Sequence, residues 1–273
     1  MDTMRRITVS VLTAFTMLSG AWAAPADAAP DWSGVTRACR VKDTRILENS
    51  GMSRSTYERR VLFTHNDSGD SARFFALGRR CGTRAVFKVP GAPVSDWEDM
   101  AAGPHHTLWF GDIGGNNPRS RVDVVRVTEP RRIRSASLAH TAYRLAYPDG
   151  AHNAEGLMVR PGSGRVFVVT KASSGAAIYR APRRLRIDRV NRLTRVASAP
   201  AIVTGADFSP TGRLFVLRTY THAYVYDGLG DADPVDIDLP SAHTFGESVA
   251  FARGNAIWFG AEGRRQWVWK AVP

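Results

Sequence analysis

Short apolar runs separated by turn residues return along the chain at a regular spacing. Five segments open with small or acidic residues ahead of an apolar one: "NSGMSRS" at 49, "WEDMAAG" at 97, "AEGLMVRP" at 154, "GADFSPTG" at 205 and "GESVAFARG" at 246. With Met52, Met100, Leu157, Phe208 and Val249 aligned, the intervals are 48, 57, 51 and 41 residues. Repeats of about 40 to 50 residues with four strands each are typical of propeller blades.

Each unit continues with further strand-like runs. Second strands are predicted at "RVLFTHNDSGD", "TLWFGDIGGN", "RVFVVTK", "RLFVLRTY" and "AIWFGAEG", because each is short, apolar and rich in β-branched or aromatic residues. Third strands follow in all five units, and fourth strands follow in the first four as "RAVFKVP", "AYRLAYP", "RVASAP" and "VDIDLP". The chain ends at Pro273 directly after a third strand, so the last unit lacks an outer strand.

The segment "VTRACRVKD" at 35 to 43 is predicted to supply that strand, because ring closure removes the unpaired edges of an open sheet. The sequence therefore predicts an all-β protein, a single propeller of five four-stranded antiparallel blades over residues 31–273, closed by the N-terminal strand. The nearest approach to a helical pattern, "RRLRIDRVNRL" at 183 to 193, is equally compatible with a loop between strands.

The N-terminus has the pattern of a secretory signal peptide, predicted to span residues 1–28. Arg5 and Arg6 precede an uncharged run over 7–18, and small residues follow in "GAWAAPADAAP". That run is shorter than the roughly 20 apolar residues that cross a bilayer. We therefore expect a secreted, extracytoplasmic protein with no transmembrane segment after signal cleavage.

Cys39 and Cys81 are the two cysteines of the chain. Export exposes them to an oxidising environment, which favours a disulfide between the closing strand and the first blade. The bond closes an interval of 42 residues and contributes roughly 3 to 4 kcal/mol in the loop-entropy picture. Two free thiols are the alternative if the positions lie too far apart.

The formal net charge is +12, and arginine accounts for 33 of the 37 basic residues. Export and the scattering of these arginines argue against nucleic acid as a partner. A solvated arginine-rich surface is the simpler interpretation, and attraction to anionic ligands or envelope polymers is the other.

Polar and charged residues recur in the units at the start of the first strand and at the end of the second strand. In an antiparallel blade the start of the first strand and the end of the second lie at the same end of the sheet. We therefore expect one cluster at a channel mouth, drawn from both positions: Glu98, Asp99, Glu155, Asp207 and Glu247 at first-strand starts, and His65, Asp67, Asp112, Lys171, Arg218, Tyr220 and Glu262 at second-strand ends.

Clustered carboxylates repel one another unless they are protonated, paired or bound to a cation. A divalent cation, with calcium favoured because it accepts several oxygen ligands, is therefore predicted at the mouth. Its predicted ligands are Glu98, Glu155, Asp207 and Glu247. The alternatives are turn capping by the aspartates and buried ion pairing of the glutamates with Arg218 or Lys171.

Other side chains are assigned to a ligand or to catalysis. Asp67, Asp112, Lys171, Arg218 and Tyr220 are predicted to bind ligand. His65 is a candidate for a catalytic base, and the alternative is a satisfied polar side chain, which is the commoner role of a lone histidine. Trp97, which adjoins the acidic residues, is predicted to pack between blades or to stack against a sugar. The chain has no G-x-S-x-G, H-E-x-x-H, Walker or G-x-G-x-x-G motif.

The phrases "THNDSGD", "DWEDMA", "GDIGGN", "YPDGAHNAEGLMV", "TGADFSPTG" and "GESVAF" resemble a group of secreted actinobacterial WD-repeat-like propellers and, more distantly, phytase-esterase and gluconolactonase propellers. The resemblance covers about Leu47 to Lys270. The gluconolactonase-like relatives imply a divalent metal at the channel mouth held by Glu, Asn and Asp. The order of ligands differs here, and the Gly-His and Trp-Asp pairs of WD repeats are missing.

Two functions remain open at this point. The first is a monomeric binding module whose cation-loaded mouth holds an extracellular small molecule, glycan or anionic ligand. The second is a metal-assisted hydrolase of an ester, lactone or phosphate ester, with His65 as base and Lys171 and Arg218 receiving substrate charge. The fold alone does not choose between them.

Overall fold

The apolar runs of the sequence form five antiparallel sheets in the computed structural model, which describes residues 32, 34–115, 117–241 and 245–273. The predicted signal peptide, residues 1–28, lies outside the described residues. The fold is a five-bladed β-propeller, as predicted. None of the described segments forms a helix with the length and apolar character that a bilayer crossing requires.

Each blade contains four antiparallel strands, to which two blades add a short fifth, and the first strand of each lies at the centre of the ring. Blade 1 comprises β2 (Asn49–Arg54), β3 (Leu62–Asn66), β4 (Arg73–Leu77) and β5 (Thr83–Lys88). Blade 2 comprises β6 (Trp97–Gly103), β7 (Thr107–Asp112), β8 (Arg121–Thr128) and β10 (His140–Ala146). Blade 3 comprises β11 (Ala154–Val159), β12 (Val166–Thr170), β13 (Ala177–Arg180) and β15 (Thr194–Ser198). Blade 4 comprises β16 (Gly205–Phe208), β17 (Phe215–Arg218), β18 (His222–Tyr226) and β19 (Val235–Asp238).

The first and the last of the described strands share blade 5. It comprises β20 (Val249–Phe251), β21 (Ile257–Phe259), β22 (Trp267–Ala271) and, at its outer edge, β1 (Thr36–Arg40). β1 pairs antiparallel with β22, which confirms the predicted closing strand. A short 3-10 turn, Arg253–Asn255, connects β20 to β21.

Two blades differ from the predicted four strands. A two-residue strand, β9 (Ala136–Ser137), adds to blade 1 parallel to β5, and β14 (Asn191–Arg192) adds to blade 2 parallel to β10. β14 belongs to the arginine-rich segment at 183 to 193, which is a loop rather than a helix. Both additions cover the outer edge of a sheet, where backbone groups otherwise lack partners.

The first strands contact one another in a closed circuit: β2 with β6, β6 with β11, β11 with β16, β16 with β20 and β20 with β2. All seven residues of β6 are buried, because the strand has blades on both sides. Between blades 1 and 2 the ring of Phe74 lies 5.1 Å from the ring of Phe110, and Trp97 stacks on Phe110 at 4.5 Å. Trp97 is 1% exposed, so it packs between blades and offers no surface to a sugar.

Cys39 of β1 and Cys81, in the turn between β4 and β5, form the predicted disulfide across 42 positions, with Cα atoms 5.7 Å apart. The bond joins blade 5 to blade 1 where the ring closes. Such a bond is compatible with an extracellular protein.

Replacing both cysteines, as Cys39→Ser with Cys81→Ser, is expected to lower the free energy of unfolding by about 4 kcal/mol, because the unfolded chain regains the freedom of a 42-residue loop. Urea unfolding followed by tryptophan fluorescence measures the change. A reducing agent should shift the native protein to the same midpoint and leave the double variant unmoved. Equal midpoints for oxidised protein and double variant would show that the bond does not secure the ring.

Candidate functional site

Three first strands carry a β-bulge at the same place, next to the channel mouth. The pairing register shifts between Asn49 and Gly51, between Trp97 and Asp99, and between Ala154 and Gly156. The extra residues are therefore Ser50, Glu98 and Glu155. Because a bulge redirects a side chain out of the regular alternation of a strand, it separates Glu98 and Glu155 from the neighbours that face the blades.

A compact group of carboxylates lies beside the first bulges. Single oxygens of Asp67, Asp96 and Glu98 lie within 4.8 Å of one another. Glu98 is 5% exposed, and the hydroxyl of Ser50 donates to its backbone oxygen over 2.5 Å and lies 3.4 Å from Oε2. We name Asp67, Asp96 and Glu98 the carboxylate triad. It brings together two of the predicted site residues and one, Asp96, that no prediction assigned.

Asp112 lies next to the triad and positions it. Its Oδ1 accepts the backbone N–H of Asp96 over 2.7 Å and lies 3.4 Å from Nη2 of Arg119. Asp112, at the end of β7, is 1% exposed, and these two donors satisfy its buried carboxylate. Asp112 therefore supports Asp96, and its part in ligand binding stays a prediction.

An ion pair forms the neighbouring part of the mouth. Nζ of Lys171 donates to both carboxylate oxygens of Glu155, at 2.6 and 2.7 Å, and to the hydroxyl of Tyr220 at 2.9 Å. Burial opposes the charge of Lys171, but the carboxylate of Glu155 prevails and raises the pKa of the lysine above its ordinary value. Lys171 therefore stays cationic, and the alternative of ion pairing for Glu155 is the arrangement observed.

Glu98 and Glu247 are not neutralised in this way. Burial, followed by the charges of Glu155 and Asp67, raises the pKa of Glu98 to about 11. Burial, followed by Glu155 and Glu262, raises the pKa of Glu247 to about 9. Each carboxylate is thus destabilised in its ionised form by the others, and a bound cation would remove that cost.

Asp67, the other triad residue that was predicted from the sequence, also has a raised pKa. Burial raises the pKa of Asp67 to about 7, with a contribution from the nearby charge of Asp96 and in spite of the backbone hydrogen bond of Ser68. Oδ1 of Asp67 and Oε2 of Glu247 are buried oxygens that accept no hydrogen bond from the described residues. Oxygen donors without partners are what a hard cation requires.

Asp207 does not join the cluster, although it was predicted as a metal ligand. The structure places it within the channel, 0% exposed, where Oδ2 accepts the backbone N–H of Phe251 over 2.9 Å and lies 4.0 Å from Nη1 of Arg54. Burial, offset in part by Arg54, raises its pKa to about 7. Glu98, Glu155 and Glu247 each precede the aligned apolar residue by two positions, whereas Asp207 precedes Phe208 by one. That single step puts its side chain in the channel beside Asp99.

Arg218 and His65 are also enclosed. Arg218 is 0% exposed, and its Nη1 donates to the backbone oxygens of Ser248, at 2.6 Å, and Gly260. His65 is 0% exposed, its Nδ1 contacts the backbone oxygen of Asn66 over 2.7 Å, and burial lowers its pKa to about 4. Both side chains are enclosed, and the binding role of Arg218 and the role of His65 as a base stay predictions.

Asp96 is the site residue that sequence reasoning missed. It stands one residue before β6, outside the strand starts and strand ends from which the site residues were predicted. The signal was present in the phrase "DWED", which places three carboxylates within four residues. In that phrase Asp96 and Glu98 flank Trp97, and successive side chains of a strand face opposite ways.

No family model and no curated protein matches the chain. Solved structures with the same fold do. A gluconolactonase from Xanthomonas campestris aligns over 88% of this chain and 89% of its own, with a TM-score of 0.50 and 13% identity. A glucose dehydrogenase aligns over 88% of this chain and 99% of its own, with a TM-score of 0.52 and 10% identity. At these identities the likeness shows the propeller fold alone.

The raised pKa values predict how stability depends on pH. Glu98 and Glu247 bind protons more tightly in the folded protein than in the unfolded chain, so the metal-free protein should lose stability as the pH rises from about 7 through their folded pKa values. Melting temperatures of protein freed of metal by chelation and dialysis, measured between about pH 7 and pH 10, test this. Calcium should offset the loss most at high pH, where the carboxylates are ionised.

Glu98→Gln supplies the matched comparison, because the amide has no proton to lose. This variant should melt higher than the metal-free native protein at high pH and should gain nothing from calcium. Glu58→Gln changes an exposed carboxylate, 47% accessible, and should behave like the native protein. A native melting temperature that is constant or rising over this range, with no calcium effect, would contradict the charge arrangement described here.

Gly114 provides a test that leaves every charge in place. A Cβ at Gly114 would overlap the carboxylate of Glu98, and the backbone of Gly114 lies outside the left-handed region. Gly114→Ala should therefore displace Glu98 and weaken calcium binding about tenfold, an effect of about 1.4 kcal/mol. Calorimetric titration measures the affinity. Gly82→Ala, where a Cβ meets nothing within 4 Å, is the matched control and should bind normally; equal affinities for the two variants would remove Glu98 from the site.

Proposed function

We propose that the protein is an exported, divalent-cation-dependent hydrolase of a small ester or lactone, with the channel mouth as its site. The observation that carries the proposal is the carboxylate triad, whose oxygens converge within 4.8 Å beside the cationic Lys171. A cation site next to a fixed ammonium is a combination that stabilises negative charge developing on a substrate oxygen.

The donor set of the triad fits a hard divalent ion, and calcium is the ion we propose. All three members offer carboxylate oxygens, with no thiolate or imidazole among them. Glu98 has a raised pKa, so it is protonated near neutral pH when no metal is bound. The positive charge of a bound ion would lower that pKa and leave Glu98 as a carboxylate. The chemistry that such an ion supplies is polarisation of a carbonyl oxygen and activation of water near neutral pH.

The chain's own residues orient the reaction. Glu155 holds the ammonium of Lys171 in place, and the hydroxyl of Tyr220, from the adjacent blade 4, accepts a hydrogen bond from the same ammonium. Asp112 holds Asp96 through its backbone N–H. The gluconolactonase of Xanthomonas campestris has the same fold. It supports the choice of substrate class as a scaffold that hosts such chemistry.

The second candidate is cation-dependent binding of a small polar ligand without turnover. The observation in its favour is that His65, the base proposed from the sequence, is sealed between Trp97 and Phe110, with ring centroids at 5.6 and 5.9 Å. A binding protein needs the cation and the polar rim, but no proton acceptor.

Hydrolysis of a panel of sugar lactones and short-chain aryl esters, followed by acid release and absorbance, distinguishes the two. The hydrolase proposal expects calcium-dependent turnover that Glu98→Gln lowers about a hundredfold or more and that Glu58→Gln leaves unchanged. A calcium-loaded protein that raises its melting temperature with a panel member but releases no product would replace catalysis by binding. No response to calcium itself would overturn both candidates.

A further inference from the structure

The face of the disc opposite the acidic mouth carries a basic cleft between blades 1 and 5. β2 runs from Ser50, which contacts Glu98 at the mouth, to Arg54, about 13 Å further along the strand. A cavity of about 390 Å³ opens beside Arg54. This volume lies in the range of sites that bind small molecules.

Blade 1 contributes four cations to the cleft. Arg54 ends β2, Arg59 and Arg60 belong to the loop before β3, and Arg79 follows β4. Nη1 of Arg54 is buried, and no described residue accepts a hydrogen bond from it; its nearest carboxylate contact is Asp207, at 4.0 Å. Arg59, Arg60 and Arg79 are exposed and make no ion pair within the described part of the chain.

Blade 5 closes the cleft with three more. Arg253 belongs to the short turn after β20, while Lys270 of β22 and Arg37 of β1 stand on the paired strands behind it. The guanidinium of Arg37 lies 5.2 Å from the rings of Trp267 and Trp269. No carboxylate is among the described residues that line the cavity.

Some arginines elsewhere on the surface are neutralised by a carboxylate, unlike the exposed arginines of the cleft. Arg45, Arg186 and Arg213 each pair with an aspartate at 3.2 Å or less. Seven like charges around one cavity repel one another, and that repulsion is relieved when a multiply charged anion binds among them. Arginine is also the side chain whose planar donors match the oxygens of a phosphate group.

The cavity has an apolar floor as well as a charged rim. Leu62 and Val61 line it from blade 1 and the indole of Trp258 lines it from blade 5. Trp258 is only half-buried, which leaves ring surface available. A floor of this kind favours a ligand with a ring or another compact carbon skeleton.

We infer that the cleft between blades 1 and 5 is a second binding site, separate from the mouth, for a small phosphorylated molecule such as a sugar phosphate. The arginines of blade 1 bind the phosphate oxygens, and the ligand's carbon skeleton lies against Trp258. The site explains a basic cluster that neither a cation nor an uncharged substrate at the mouth requires.

Calorimetric titration of the purified protein at low salt and about pH 8, with glucose 6-phosphate, glucose 6-sulfate and glucose as probes, tests the inference. We expect saturable binding of one glucose 6-phosphate, weaker binding of the singly charged sulfate ester, and none of glucose. Equal affinity for the two esters would overturn the assignment to phosphate, and no saturable binding of either would overturn the site.

Two arginine pairs locate the binding. Arg60→Gln with Arg79→Gln removes two charges from the cleft and should weaken glucose 6-phosphate binding about tenfold or more, given the strength of charge-assisted hydrogen bonds. Arg186→Gln with Arg189→Gln removes the same charge from an exposed loop, where the side chains are 57% and 65% accessible, and should change the affinity less than about twofold. Equal weakening by both pairs would mean a general charge effect and would reject the site.

The same titration with Glu98→Gln separates the cleft from the mouth. Glucose 6-phosphate should bind this variant as it binds the native protein, whether or not the mouth proves to hold a cation. Loss of binding in Glu98→Gln would place the anion on the mouth and overturn the inference.

Discussion

The structure depends on how the ring satisfies the inner edges of its blades. Each first strand pairs with a second strand on one side only, and its other edge faces the channel, where no strand can pair with it. Side chains take the partner's place. Oδ2 of Asp99 accepts the backbone N–H groups of Leu157, at 2.9 Å, and Ala206, at 3.0 Å, so one carboxylate joins blades 2, 3 and 4.

The same device recurs around the axis. Asp207 accepts from Phe251, which joins blade 4 to blade 5, and the hydroxyl of Ser248 donates to Oδ1 of Asn49, which joins blade 5 to blade 1. Carboxylates inside the channel are costly because burial opposes their charge, and they persist because backbone donors would otherwise be left without partners. Polar side chains in the channel thus hydrogen-bond the first strands to one another. Glu98 and Glu155 project from the bulges of these fixed strands at the mouth.

The fold followed from the sequence because it rests on patterns that repeat. The aligned apolar residues marked the first strands, and the missing outer strand of the last unit predicted the role of "VTRACRVKD". The site followed only in part, because the direction of a side chain depends on single-residue shifts. A bulge at Glu98 and the one-residue offset of Asp207 reverse what strand alternation alone would give. The enclosure of His65 by Trp97 and Phe110 depends on packing between blades, which one unit of the sequence does not encode.

The mouth and the cleft carry opposite charge, which the net charge of +12 conceals. The mouth gathers carboxylates around a single lysine, whereas the described residues that line the cleft include seven basic side chains and no carboxylate. Charges that are scattered along the chain thus form an acidic cluster at the mouth and a basic cluster at the cleft once the blades close into a ring. This separation is the physical basis for treating the mouth and the cleft as independent sites.

The central claim is that the carboxylates of the mouth are arranged to hold a divalent cation. A crystal of the protein soaked in manganese, an ion that scatters anomalously and accepts the same oxygen ligands, tests it most directly. We predict an anomalous peak among the side chains of Asp67, Asp96 and Glu98. A soaked crystal with no peak there, or with these three side chains turned apart, would contradict the account.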